Sequence, residues 1–390
     1  MKIRSVIIAV FFSWCVLWSF AQPKDTTIIL LADMQIQIEA NQALNDMYNF
    51  KFTESRRQFN WLKQKYRWHP LPYFLLGLNE WWNILPNPKD TQYDEAFLAY
   101  MDTVIWISEK LYEKPEYKVE ASFFLSAAHG FKGRLYSDED RKKWGKATTA
   151  GRAALNYLED SKGHHDLSPE LLFGDALYNY FAVWIPENYA ILKPLMLMFP
   201  DGDKELGMKQ LEEVSFNAFY TRTEAMVWLM RIRHSYENDP KGAFYLGEYL
   251  YKTYPDNPYF HRYYARLLYT SGRFSEAMQV SEQILQRIDS GMTGYGATNG
   301  RYAAFYLGHI HQMRKNTAAA KEYFHRAILF AESIEATETG YYLYSLLYLG
   351  RIYNDEGNKK LAKDYYKKVQ KNSSRSHSAN KQARERLREM

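Results

Sequence analysis

Small residues recur along this chain at a fixed step, each followed by a second small residue and then a large one. From Gly308, Ala320 lies twelve residues on, Phe324 sixteen and Ala327 nineteen. The same steps from Gly350 reach Ala362, Tyr366 and Val369; from Ala265 they reach Ala277, Ser281 and Ile284; from Ala43 they reach Ser55, Phe59 and Leu62. The starting points are themselves spaced: Ala43 and Gly77 are 34 apart, as are Arg231 and Ala265, while Ala265, Gly308 and Gly350 follow at 43 and 42. The longer intervals read as the shorter one with eight or nine residues inserted. A small residue lets two antiparallel helices approach, and an aromatic one turn after the second small position fills the gap beside it. A period of this length predicts one helix pair per unit, stacked into a solenoid.

Tyr348-Leu349-Gly350-Arg351-Ile352-Tyr353, with Gly357, Ala362 and Tyr366 after it, resembles a tetratricopeptide repeat. So do Tyr254-Pro255-Asp256-Asn257-Pro258 and Gly272-Arg273-Phe274-Ser275-Glu276-Ala277. Gly272 and Gly357 stand where that family turns between its two helices, a place for a left-handed cap. The resemblance covers residues 224–371 well and 36–85 more loosely. It implies an all-α fold, a right-handed α-solenoid of stacked antiparallel helix pairs. The expected organisation is a signal peptide over 1–21, N-terminal repeat-like helices over 22–85, a degenerate helical region over 86–223, a C-terminal array over 224–371 and a capping helix with a basic tail over 372–390. In the middle region the patterns predict helices over 93–112, 117–136, 138–159, 169–184 and 204–216, with Ser137 and Asp140 as a capping box. Ala379, on the tail, is expected to be exposed.

The first residues read as an export signal: Lys2 and Arg4, then an uncharged run from Val6 to Phe20, then Ser19 and Ala21 at the small positions before a cleavage site. The run is short for a spanning helix. Cleavage after Ala21 also removes Cys15, the only cysteine in the chain. The mature protein then has no thiol, which fits an oxidising compartment and excludes disulfides and cysteine chemistry. The expected location is the periplasm or a membrane surface. Formal charge falls from +5 for the whole chain to +3 without Lys2 and Arg4, and the last twenty residues alone carry +4. What remains is near neutral, so no electrostatic footprint for nucleic acid is expected.

No residue set reads as catalytic and none predicts a cofactor or metal. His164-His165-Asp166 is the densest cluster of ligand types, but it sits in a polar loop without a partner at helical spacing. His309 and His311 fall on different helix faces. The Gly-rich stretch 289–300 lacks a nucleotide-loop signature and reads as a long connection, or as a mobile edge that touches a partner. Residues Tyr189 to Phe199 are apolar almost all round; burial between layers is expected, with a peripheral membrane contact as the alternative. The family resemblance implies a concave groove lined by the first helix of each pair. Mapped onto this sequence, its partner-binding residues are Tyr259, Arg262, Arg266, Tyr269, Tyr302, His309, Gln312, Arg351 and Asn354. The function expected is a non-catalytic scaffold for another protein or a peptide. A membrane-associated structural component and an enzyme hosted on a helical array are the alternatives.

Overall fold

Several helix starts along this chain are set by short polar side chains. Asp33 accepts the amide of Ile36, Asn257 those of Tyr259 and Phe260, Asn316 that of Ala319 and Asn358 that of Leu361. Each satisfies donors that the first turn leaves open. In the computed structural model, which describes residues 29–196 and 199–390, every regular element among the described residues is helical. The expected export segment 1–21, with Cys15, lies outside them.

The helices pair in chain order: α1 (Met34–Tyr48) with α2 (Phe52–Lys65), α3 (Leu71–Ile84) with α4 (Asp94–Tyr112), and α5 (Lys118–Ser137) with α6 (Trp144–Ser161). Then α7 (Leu172–Asn188), past the single turn α8 (Lys193–Met196), pairs with α9 (Lys204–Asn217). The pairs α10 (Arg222–Ser235) with α11 (Pro240–Thr253), α12 (Pro258–Thr270) with α13 (Phe274–Asp289), α14 (Ala297–Met313) with α15 (Thr317–Ser333) and α16 (Gly340–Asp355) with α17 (Lys359–Lys371) follow, and α18 (Ser378–Arg388) closes the stack. This is the all-α solenoid of stacked pairs.

The repeated spacing has a direct steric basis. A Cβ on Gly308 would lie 2.7 Å from the Phe324 ring, and one on Gly350 2.6 Å from that of Tyr366. The aromatic sixteen residues on is therefore what each glycine makes room for. Gly272 (φ 74°) and Gly357 (φ 79°) turn the chain between helices of a pair, as expected. Lys315 takes the same left-handed conformation (φ 60°) between α14 and α15, with the same pair of backbone bonds around it. A side chain there costs about 1 kcal/mol, which the closed turn absorbs.

Several expectations are corrected. The helix expected from Asp138 begins at Trp144. Ser137 forms no capping box; it is the last residue of α5 and its hydroxyl donates to the Arg134 carbonyl. The cause is Arg141, whose buried guanidinium forks onto Asp94 and reaches the Pro88 carbonyl, holding 138–143 as a loop. Ala379 is fully buried, because α18 packs on α16 and α17. The described residues from 189 to 196 do not form one buried helix: Tyr189 is 53% exposed and Ile191 87%, at a 3-10 turn followed by α8. Among the described residues no helix is long and apolar enough to cross a membrane.

The stack also touches itself far along the chain. One apolar core extends from Leu30 to Leu267 and a second from Tyr264 to Ala383, meeting on α12. Trp82, on α3, is fully buried; its ring meets Tyr48, Phe50, Tyr259 and Phe260, and its indole donates to Glu224 at 2.9 Å. Asn257 donates to the Tyr48 carbonyl and Lys89 to that of Glu335. The Gly-rich stretch takes part. Tyr295 is buried against His261, the Asn299 amide bonds the Pro258 carbonyl, and a Cβ on Gly294 (φ 78°) would strike the Phe50 ring. It is a packed strap.

Candidate functional site: the arginine stripe of the inner face

Curvature decides which helices can line a groove. α12 touches α14, α14 touches α16 and α16 touches α18 along their backbones, whereas α13, α15 and α17 meet one another only through long side chains such as Arg326 with Asp289 and His325 with Tyr365. The first helices are thus on the inside of the curve and their outward faces make its concave wall.

On that wall the arginines are spaced one helix to the next. The Arg262 guanidinium on α12 lies 5.3 Å from the rings of Tyr259 and Tyr302 and 5.9 Å from that of Tyr263. It therefore bridges α12 and α14. Arg301 sits 4.9 Å from the Tyr302 ring and donates to its hydroxyl and to that of Thr339. Arg351, on α16, lies 5.4 Å from the Tyr348 ring and donates to Gln382. The Nε atoms of Arg266, Arg301 and Arg351 are buried without a hydrogen-bond partner. Arg231, on α10, and Arg134, on α5, extend the stripe around Trp228, at 5.0 and 4.9 Å from its ring.

None of these six arginines forms an ion pair among the described residues. Arginines beside or on the outer helices do: Arg273 with Glu276 at 2.5 Å, Arg287 with Asp256 at 3.6 Å, and Arg326 with Asp289. These outer arginines are paired with carboxylates at contact distance and the inner ones are not, although Arg134 feels the charge of the buried Glu224. Tyr263 senses the inner charge. Burial pushes its phenol up, but Arg231, Arg262, a hydrogen bond from Tyr259 and Arg266 together hold it below the usual tyrosine range.

The other mapped residues fall as follows. Tyr259 is buried, 5% exposed, because its ring packs under Arg262 and against Trp82; it supports the wall and offers a partner no surface. Tyr269 stacks on Tyr306 at 4.3 Å and shares a 2.8 Å hydrogen bond with Nδ1 of His309, whose pKa burial lowers. Gln312 and Asn354 are half-buried near the ends of their helices. The sequence mapping missed Arg134, Arg231, Tyr263 and Arg301. Tyr263 follows Tyr259 by four residues and Arg301 adjoins Tyr302, so helical spacing carried a signal for both; Arg134 lies in the irregular middle, where no register exists to map. His311 stacks on Tyr323 at 5.4 Å, away from His309, and His164, His165 and Asp166 are exposed on a loop.

No protein-family model matches the chain, and no curated protein does. The fold is a tetratricopeptide-like helical repeat. Among solved structures the chain is similar to a human IFIT1 dimer with PPP-AAAA, at 13% identity over 82% of this chain and 68% of that one, with a TM-score of 0.41. It is also similar to the TPR domain of P58(IPK), at 11% identity over 91% and 98% of the two chains, with a TM-score of 0.26. The repeat geometry described above, and not these distant likenesses, carries the account of the fold.

Proposed function

We propose that this protein is a non-catalytic scaffold whose inner face, along α12, α14 and α16, binds an extended, carboxylate-bearing segment of another protein. The observation that carries the reading is the row of arginines without carboxylate partners, of which Arg262, Arg301 and Arg351 lie on tyrosine rings. A guanidinium held flat on a ring in a half-dry groove has little to lose on binding and forks readily onto a carboxylate. Peptide is favoured over nucleic acid because the aromatic rings are packed on one another, as with Tyr269 on Tyr306 and Tyr302 on Tyr341 at 5.0 Å, so bases find few free faces to stack on.

The test uses a labelled acidic peptide of alternating Glu and Tyr, with an RNA oligonucleotide of equal charge as the comparison. Arg262→Ala and Arg351→Ala are each expected to weaken peptide binding about thirtyfold, a hot-spot loss of about 2 kcal/mol, with unfolding by circular dichroism almost unchanged. Full binding with both side chains removed, or tighter binding of the RNA, would overturn the reading. The place of action is the periplasm or a membrane surface, supported by Lys2, Arg4 and the apolar run to Phe20. Mass spectrometry of the native protein is expected to find Gln22 as its first residue, and an intact Met1 would reject export.

A further inference from the structure

Successive long helices pack along one another throughout the stack except α6 and α7. Between them, bordered by Met196 and Phe199, lies a cavity of about 570 Å³, inside the usual range for small-molecule sites. Its walls are hydrocarbon: Phe123, Phe131, Leu155, Leu177, Phe181 and Ile185. The lining on α5 extends from Phe123 to Ser137, which at the helical rise is about 21 Å. The cavity is thus an elongated channel along α5, open to solvent on one side.

The sequence keeps this channel open at a cost. Gly130 and Gly151 line it from inside α5 and α6, and a Cβ on either would meet no atom within 4 Å. Glycine inside a helix is unfavourable, and walls without opposing atoms forfeit their dispersion contacts. Water is a poor filler, because it needs two to four polar partners. The lining holds two arginines: Arg152, which is exposed, and Arg134. Arg134 is stacked 4.7 Å from the Trp81 ring and 4.9 Å from that of Trp228, which also lines the cavity, and it donates no hydrogen bond to any described residue. An apolar channel beside a cation with free donors matches one class of molecule.

We propose that the α5–α6–α7 cavity binds an amphiphile, a single unbranched acyl chain whose anionic head sits at Arg134. The site shares Arg134 with the far end of the arginine stripe, but it lies away from the α12, α14 and α16 wall and does not depend on peptide binding there. The head is a carboxylate or a phosphate, since both fork onto guanidinium.

The experiment displaces a fluorescent polyene fatty acid from the full-length protein with saturated fatty acids of increasing length, their alcohols, and lysophosphatidic acid. Fatty-acid affinity is expected to rise about fourfold per methylene until the channel is full and then level off. The matching alcohol binds at least tenfold more weakly, and Arg134→Gln removes that difference. Gly151→Leu fills the channel and abolishes displacement, while its melting temperature stays equal or rises, because leucine is the better helix former. Tighter competition by lysophosphatidic acid than by fatty acid assigns the head as phosphate, and the reverse as carboxylate. The absence of saturable binding by any acyl compound, or unchanged binding in a folded Gly151→Leu protein, would overturn the proposal. Acidic-peptide binding is expected to persist in Gly151→Leu, which separates failure of this site from failure of the groove.

Discussion

Trp82→Ala is expected to lower the stability of the whole protein by about 3–5 kcal/mol, the cost of emptying a large aromatic site in a packed core. Trp82 is fully buried and belongs to an early helix, yet its neighbours Tyr259, Phe260 and Glu224 come from α12 and α10. Burial raises the pKa of Glu224, while Arg134 and the Trp82 indole lower it, so losing the indole leaves a buried carboxylate with one favourable contact fewer. Urea unfolding followed by far-ultraviolet circular dichroism checks the figure. Trp82→Phe keeps a six-membered ring and loses the donor with the rest of the indole, so a smaller loss is expected. A change below about 1 kcal/mol for the alanine variant would mean that the early pairs do not pack on α12 as described.

Acid is expected to destabilise the protein through His261, which is fully buried on α12. Arg287 donates to the Tyr295 hydroxyl, so the phenolic proton is free to go to Nδ1 of His261, 2.9 Å away, and that nitrogen must be unprotonated. Burial first, and the charge of Arg287 second, push the His261 pKa down to about 3. In the unfolded chain it returns to about 6.5. Above that value both states are neutral and nothing is lost. As pH falls from about 6.5 toward 3, only the unfolded chain takes the proton, and stability drops by about 1.4 kcal/mol per unit. Between pH 6.5 and 5, before most carboxylates titrate, the loss is about 2 kcal/mol. Denaturant midpoints across this range are expected to fall for the native protein and to be about 2 kcal/mol flatter in His261→Gln. Parallel curves would show that His261 is not held neutral.

What the sequence reveals and what it hides follow from the range of each interaction. The steps from Gly308 to Phe324 and from Gly350 to Tyr366 are local, so the repeat can be read directly. The turn at Lys315 is also local but breaks the glycine rule, and only the backbone bonds around it reveal its likeness to Gly272 and Gly357. In the middle region order depends on distant partners. Glu170, 1% exposed, accepts from the amides of Phe219, Tyr220 and Thr221 ahead of α10, and Glu120 accepts the amide of Leu31 across 89 residues. A glutamate in a helical pattern reads as solvent-facing, so no periodicity announces either. The groove shows the same division. Its arginines are visible as residue types at helical spacing, but whether each is neutralised depends on where carboxylates of other helices fall. Arg287 finds Asp256 and Arg262 finds none, a difference no register encodes.

The back-contact at Trp82 also bears on how such a chain can change over generations. Open repeat proteins lengthen or shorten by copying or deleting a unit, since each unit touches only its neighbours. Here the count of pairs between α3 and α12 sets whether Trp82 arrives opposite Glu224 and Phe260, and whether Phe50 meets Gly294. A duplicated or lost pair inside that span would swing one arm of the stack away from the other and expose both. Change in number is permitted only outside that span, so the inner pairs are fixed in count while the later ones are not.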